Sequence, residues 1–196
     1  MITVDPKRAA LVLIDLQNGI VGMPVAPHTA ETVVANGKAL AAQFRAAGAP
    51  VVLVRVAFAA DYADAPCKMV DKPMVRPSGG LPAAWSMFVE GLQQPDDIVI
   101  TKRQWGAFYG TELDLQLRRR GIDCIVLGGI ATNFGVESTA RQAWELGYAV
   151  VLAEDACSSV AAELHAMTIG HVLPRIARIT HSNDIAFSRP IHPPSD

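Results

Sequence analysis

Short, almost wholly apolar runs separated by stretches of helical periodicity constrain this chain more than any other feature. They are Ala9–Ile14, Val51–Val56, Asp97–Thr101, Cys124–Leu127, Tyr148–Ala153 and the weaker Ala177–Thr180. A strand wetted on one side alternates apolar and polar residues. An unbroken apolar run of this length instead marks a strand buried on both faces, as in a parallel sheet. Between the runs lie helical patterns. From about Ala30 to Ala47, Val33, Val34, Gly37, Leu40, Ala41 and Phe44 form one stripe, and Gly48 follows as a stop. Further helical patterns cover Glu112–Arg120, Val136–Leu146 and about Ala161–Val172. The alternation predicts an α/β fold: a Rossmann-like, open six-stranded parallel sheet with helices on both faces.

The 196 residues suffice for one such domain, spanning 1–196, and no repeat or linker divides them. The stretch from Phe58 to Pro95 is rich in Pro, Asp and Gly. It is too long for an idle connection and reads as a lid or an interface. Trp85 and Phe88 near its end either dock onto a neighbouring subunit or close over their own pocket.

With a net charge of -2, nothing draws the chain to nucleic acid or to an anionic membrane. No apolar run approaches the roughly 20 residues of a membrane span. The first residues lack the basic start and apolar stretch of a secretory signal, so a cytoplasmic location is expected. Cys67, Cys124 and Cys157 match no zinc spacing, the histidines form no HExxH, and no metal is expected. The segment after Asp15 is not GxGxxG, which argues against a nicotinamide or flavin, and no cofactor is expected.

Ligands of open α/β sheets bind beyond the carboxyl ends of strands, where the strand order reverses. In a Rossmann-like order that point lies between the first and fourth predicted strands. Asp15 ends the first, and the turn from Gly128 to Gly135 follows the fourth. Asp15 is either an acid–base group tuned by burial or a carboxylate that caps its turn. Lys102, ending the third strand, is placed to polarise a substrate carboxylate or to hold the charge of Asp15. Backbone N–H groups near Phe134, Gly135 and Val136 are expected to face the crevice at a helix start, with Asn133 as N-cap. Alternatively, the glycines only permit a tight turn. Gln17, Trp105, Phe108 and Tyr109 are substrate-binding candidates, and the aromatic residues equally suit core or interface. His165 reads as a structural helical histidine, and Cys124 as inert core.

Several motifs occur together and in order. They are Ile14-Asp-Leu-Gln17, Thr101-Lys-Arg103, Gly106-Ala-Phe-Tyr-Gly-Thr111, Ala131-Thr-Asn133, Glu137-Ser-Thr-Ala-Arg141, and Glu154-Asp-Ala-Cys157 with His165. This set resembles the isochorismatase-like cysteine hydrolases from Leu11 to about Ile179. The resemblance implies the six-stranded sheet, a homodimer or homotetramer, and a non-proline cis peptide before Ala131. It also implies catalytic roles for Asp15 and Lys102, and an oxyanion turn at Ala131, Asn133, Phe134 and Gly135. In thiol-bearing members the residue two after the Asn is the nucleophilic Cys. Here it is Gly135, which closes the thioester route at that position. Members with nicotinamidase-like activity carry an Asp/His metal site, and nothing after Val56 matches it. Two readings follow. One is a cofactor-independent hydrolase of a small anionic molecule, working through Asp15 and Lys102. The other is a non-catalytic binder that retains the pocket. Substitution of the missing thiol by Cys67 or Cys157 is a third, narrower alternative.

Overall fold

The computed structural model describes residues 1–188, so the last eight positions of the expected 1–196 domain lie outside the described residues. In chain order the elements are β1 (Ile2–Val4), β2 (Ala9–Ile14), α1 (Asn18–Val21), α2 (Ala30–Ala46), β3 (Val51–Val56) and β4 (Ile98–Lys102). They continue with α3 (Leu113–Arg119), β5 (Cys124–Ile130), α4 (Glu137–Glu145), β6 (Ala149–Ser158), α5 (Ala162–Met167), β7 (Arg178–Thr180) and β8 (Ile185–Phe187). The main sheet has six parallel strands in the order β4-β3-β2-β5-β6-β7. The order in which the chain adds strands reverses between β2 and β5, and in open α/β sheets such a switch point opens a crevice at the carboxyl ends.

Two apolar layers sandwich this sheet. On one face Leu11, Leu13, Val51, Leu53 and Val126 pack with Val33, Leu40 and Phe44 of α2. On the other, Val12, Ile14, Val52, Val54, Ile125 and Leu127 pack with Leu113 and Leu117 of α3 and Ala140 and Ala143 of α4. All six residues of β2 are buried, which is why its sequence shows no polar alternation. Thr29 caps α2 by accepting the Thr32 N–H at 3.2 Å. The helix stops at Gly48, whose φ of +69° lets its N–H reach the Arg45 carbonyl while the Ala49 N–H reaches Phe44.

Two features have no local signature. Strands β1 and β8 form a separate parallel pair joining chain segments at opposite ends of the fold. Strand β6 runs to Ser158, well beyond the Ala153 expected from its apolar run, through a register shift. Leu127 lies opposite Leu152, yet Gly129 lies opposite Cys157, so β6 bulges over residues 153–156. Cys157 is therefore a fully buried strand residue and not part of a turn.

Candidate active site

Asp15 follows β2 directly, anchored by its N–H to the Val54 carbonyl at 2.8 Å. Its φ of +54° is a left-handed conformation that Asp tolerates better than most residues, at a cost of about 1 kcal/mol or more. The side chain is buried, and Oδ2 lies 2.8 Å from the Nζ of Lys102, itself 1% exposed. Lys102 also donates to the Trp105 carbonyl at 2.6 Å. Asp15 Oδ1, by contrast, is buried without a hydrogen-bond partner. Burial pushes the carboxyl up to about 6, and the neighbouring ammonium opposes that rise. The expected acid–base group thus sits in a strained, desolvated pair with one oxygen free.

The turn after β5 meets this pair. A Cβ on Gly135 would lie 3.0 Å from Lys102 Nζ, 3.3 Å from Asp15 Oδ2 and 3.0 Å from Ile14 Cγ2. No thiol is among these three nearest atoms. The approach depends on Gly129, where a Cβ would stand 2.1 Å from the Ile14 carbonyl oxygen, closer than atoms can pack. The Ile130–Ala131 peptide is cis, as the resemblance implied.

The turn itself, Thr132–Val136, is wound as a single π-helical turn before α4. It differs from expectation in two respects. The N–H groups of Phe134 and Val136 donate to the Ala131 carbonyl at 3.1 and 3.2 Å, so these two donors close the turn instead of facing a ligand. Asn133 caps no helix. Its side-chain oxygen accepts the Ser159 hydroxyl, tying the turn to the end of β6.

Of the aromatic candidates, Trp105 is largely exposed and its ring lies 4.8 Å from that of Phe134, forming a rim beside the pair. Phe108 is a core residue packed on Tyr148, which removes it as a substrate contact. Tyr109 points to the surface, 76% exposed. Gln17 is wholly buried, with its amide committed to backbone. Its nitrogen donates to Val56 and Trp85 carbonyls at 3.0 and 3.2 Å, and its oxygen accepts the Val56 N–H at 2.8 Å. It is a structural strap, not a free recognition group.

That strap settles where the end of the long loop goes. The Trp85 ring rests on Gly19, where a Cβ would lie 2.0 Å away, and Phe88 pairs with Gln17 in an isolated bridge. Both aromatic residues thus close on their own chain. Two positions that sequence reasoning missed hold the Lys102 loop. Thr139 Oγ1 accepts the Ala107 N–H at 3.1 Å, and Gln142 Oε1 accepts the Phe108 N–H at 3.3 Å. Their helical spacing, three apart on α4, was a readable signal.

Cys157 is buried in β6, where burial pushes its thiol far above the ordinary value. Cys67 is exposed in the long loop. His165 is more than a packed helical residue. It is buried with Nδ1 2.9 Å from Thr132 Oγ1 and Nε2 2.9 Å from Glu154 Oε1, and His28 Nε2 approaches the same oxygen at 2.8 Å.

Two clefts, of about 540 and 620 Å³, lie elsewhere. One is lined by Arg8, Asp123 and Tyr148 among others, the second by Arg45, Pro50 and Asp97 among others. Both sit at the amino ends of strands, opposite the crevice, and neither contains Asp15, Lys102 or Gly135. Chemistry therefore points to the carboxyl end, where the buried charged pair lies.

Comparison with known proteins identifies the family of this chain. The isochorismatase domain model matches residues 9–184. The chain belongs to the isochorismatase family. Among relatives in this family, the YecD protein of Escherichia coli O157:H7 is 56% identical over 186 residues, covering 94% of this chain and 98% of YecD. The YwoC protein of Bacillus subtilis (strain 168) is 48% identical over 178 residues, covering 90% and 92%. The solved isochorismatase family protein of Burkholderia thailandensis superposes with a TM-score of 0.89 at 46% identity, covering 93% of this chain and 95% of that one. Family membership supports a hydrolase-like function. No helix among the described residues is long and apolar enough to cross a membrane.

Proposed function

We propose that this isochorismatase-family chain is a cofactor-independent hydrolase of a small anionic metabolite, using Asp15 and Lys102 without a thiol nucleophile. The observation that carries the reading is the buried Asp15–Lys102 pair, with Oδ1 of Asp15 unpartnered and its carboxyl pushed up to about 6. A carboxyl in that range is populated in both protonation states near neutrality, as a proton-transfer group must be. Lys102 favours an anion nearby. The aromatic rim of Trp105 and Phe134 supplies an apolar wall.

An enol ether is the bond class this pair suits. Asp15 protonates the terminal methylene carbon, water adds to the ether carbon, and the C–O bond breaks to give a keto acid and an alcohol. The water's proton restores Asp15. No covalent enzyme intermediate is required, which fits the absent side chain at Gly135. The test is pyruvate release from isochorismate, with Asp15→Ala as control. Release that vanishes in the variant supports the mechanism; release that persists sinks it.

The absent side chain at Gly135 also favours a second reading, a non-catalytic binder of the same class of ligand. Calorimetry against anionic metabolites would then show affinity without turnover, and any product formation would reject it. On either reading a homodimer or homotetramer is expected, which sedimentation velocity measures.

A further inference from the structure

The geometry points, we infer, to a zinc-class divalent cation site formed by His28 Nε2, Glu154 Oε1 and His165 Nε2. The three atoms lie within 4.8 Å of one another. They come from three chain segments: the loop before α2, the bulge of β6, and α5. No local spacing announces them, which is why the sequence showed no metal motif. The inference does not depend on the role of Asp15.

Each part of the cluster is aimed. The register shift in β6 turns Glu154 out of the regular ladder, as bulges do near functional sites. His28 is brought in by its own backbone: its carbonyl accepts the Ser158 hydroxyl at 2.7 Å, and Ala26 bridges Ser159. The Thr132 hydroxyl lies 2.9 Å from Nδ1 of His165, so an Nδ1–H donated to it in the metal-bound form would leave the Nε2 lone pair for the cation. A second-shell hydrogen bond of this kind orients metal-binding imidazoles.

The spacing suits a small cation. Zinc holds nitrogen and oxygen ligands at about 2.0–2.2 Å in a tetrahedron, which sets ligand atoms roughly 3.4 Å apart. The imidazole nitrogens now stand 2.8 and 2.9 Å from the carboxylate oxygen, so spreading each by about half an ångström brings these two pairs to the zinc spacing, with the two nitrogens already within 4.8 Å of each other. Two neutral imidazoles and one carboxylate are a zinc-type donor set, and three protein ligands leave the fourth position open. Access exists: side-chain exposure is 28% for His28 and 18% for Glu154, against 4% for His165. The exposed His181 stands at the opening, its Nδ1 3.7 Å from Glu154 Oε2. Because Thr132 belongs to the turn that contains Gly135, an ion here also braces that turn.

The same contacts in a metal-free chain require both imidazoles to donate an Nε2–H to one oxygen, and a cobalt titration separates the two cases. Untagged full-length chain, stripped with chelator and dialysed, is titrated with Co²⁺ and then Zn²⁺. The expected result is one Co²⁺ per chain with visible d–d absorption of low coordination number, displaced by one equivalent of Zn²⁺. His28→Ala, at the most exposed of the three ligands, and Glu154→Gln should each weaken binding at least tenfold while leaving the far-ultraviolet circular dichroism unchanged. Absence of stoichiometric binding overturns the assignment. So does binding that both variants retain at full affinity, which would place the ion elsewhere.

Discussion

A shift of pH from 6 to 8 isolates the carboxyl of Asp15. With its pKa near 6, the group is half protonated at pH 6 and about one-hundredth protonated at pH 8. If Asp15 delivers the proton, kcat/KM falls about tenfold per pH unit above 6. The same group acts on stability with a definite sign. Its folded value lies above the ordinary 3.8, so the folded state binds the proton more tightly than the unfolded chain does. That stabilisation is fully present below about pH 4 and is lost as pH rises through 6, to a total of about 3 kcal/mol. Asp15→Asn should lack both effects, so the difference between wild type and variant isolates this carboxyl from other titrating groups. A pH series of pyruvate release gives the first effect, and urea unfolding at pH 4.5 and 7.5 gives the second. A rate that rises or stays level between pH 6 and 8 would refute the general-acid role. A stability difference independent of pH would refute the burial argument beneath it.

Lys102→Met removes the cation that opposes the rise of the Asp15 carboxyl, so the falling limb of the pH profile should move above 6. Leaving one charge of the buried pair alone should also cost about 3–5 kcal/mol, measured by urea unfolding. Gly129→Ala drives a Cβ to 2.1 Å from the Ile14 carbonyl, and the expected outcome is a drop of several kcal/mol or loss of soluble protein. Gln142→Ala frees the Phe108 N–H and should loosen the loop that follows Lys102, costing about 1–2 kcal/mol and raising KM. Iodoacetamide should label Cys67 in the folded chain and spare Cys157 until denaturant is added, as mass spectrometry of peptides would show.

The central sheet strands were legible because β2 and most of β3, β5 and β6 are buried and written in largely apolar residues, while β7, with Arg178 and Thr180, gave only a weak signal. The meeting of Asp15 with the Gly135 turn followed from the expected strand order, and holding the charge of Asp15 was one of two roles read for Lys102. What escaped was long-range or compensatory. The pairing of Ile2–Val4 with Ile185–Phe187 links segments too short to carry a pattern. The bulge in β6 hides inside Glu154-Asp-Ala-Cys157, whose polar start looks like the end of a strand. The expected N–H donors at Phe134 and Val136 were misread because a π turn needs them internally, a detail of winding that composition does not encode. Gln17 looked like a recognition group by position, and only its three backbone partners reveal a fastener. His28, Glu154 and His165 converge through folding, not spacing.

The Gln17 strap divides the long loop into two parts with different freedoms. Residues 82–89 are fixed against Gln17, Asn18 and Gly19 through side chain and backbone alike, so their path is part of the scaffold. Residues 58–81 hang between that anchor and the end of β3, held inside by the burial of Tyr62 and outside by the pairing of Asp64 with Arg103. A segment with two rigid stems and a weakly held middle behaves as a cassette. Exchanging it between relatives would replace that segment while the Asp15–Lys102 pair, seated on the sheet, stays where it is.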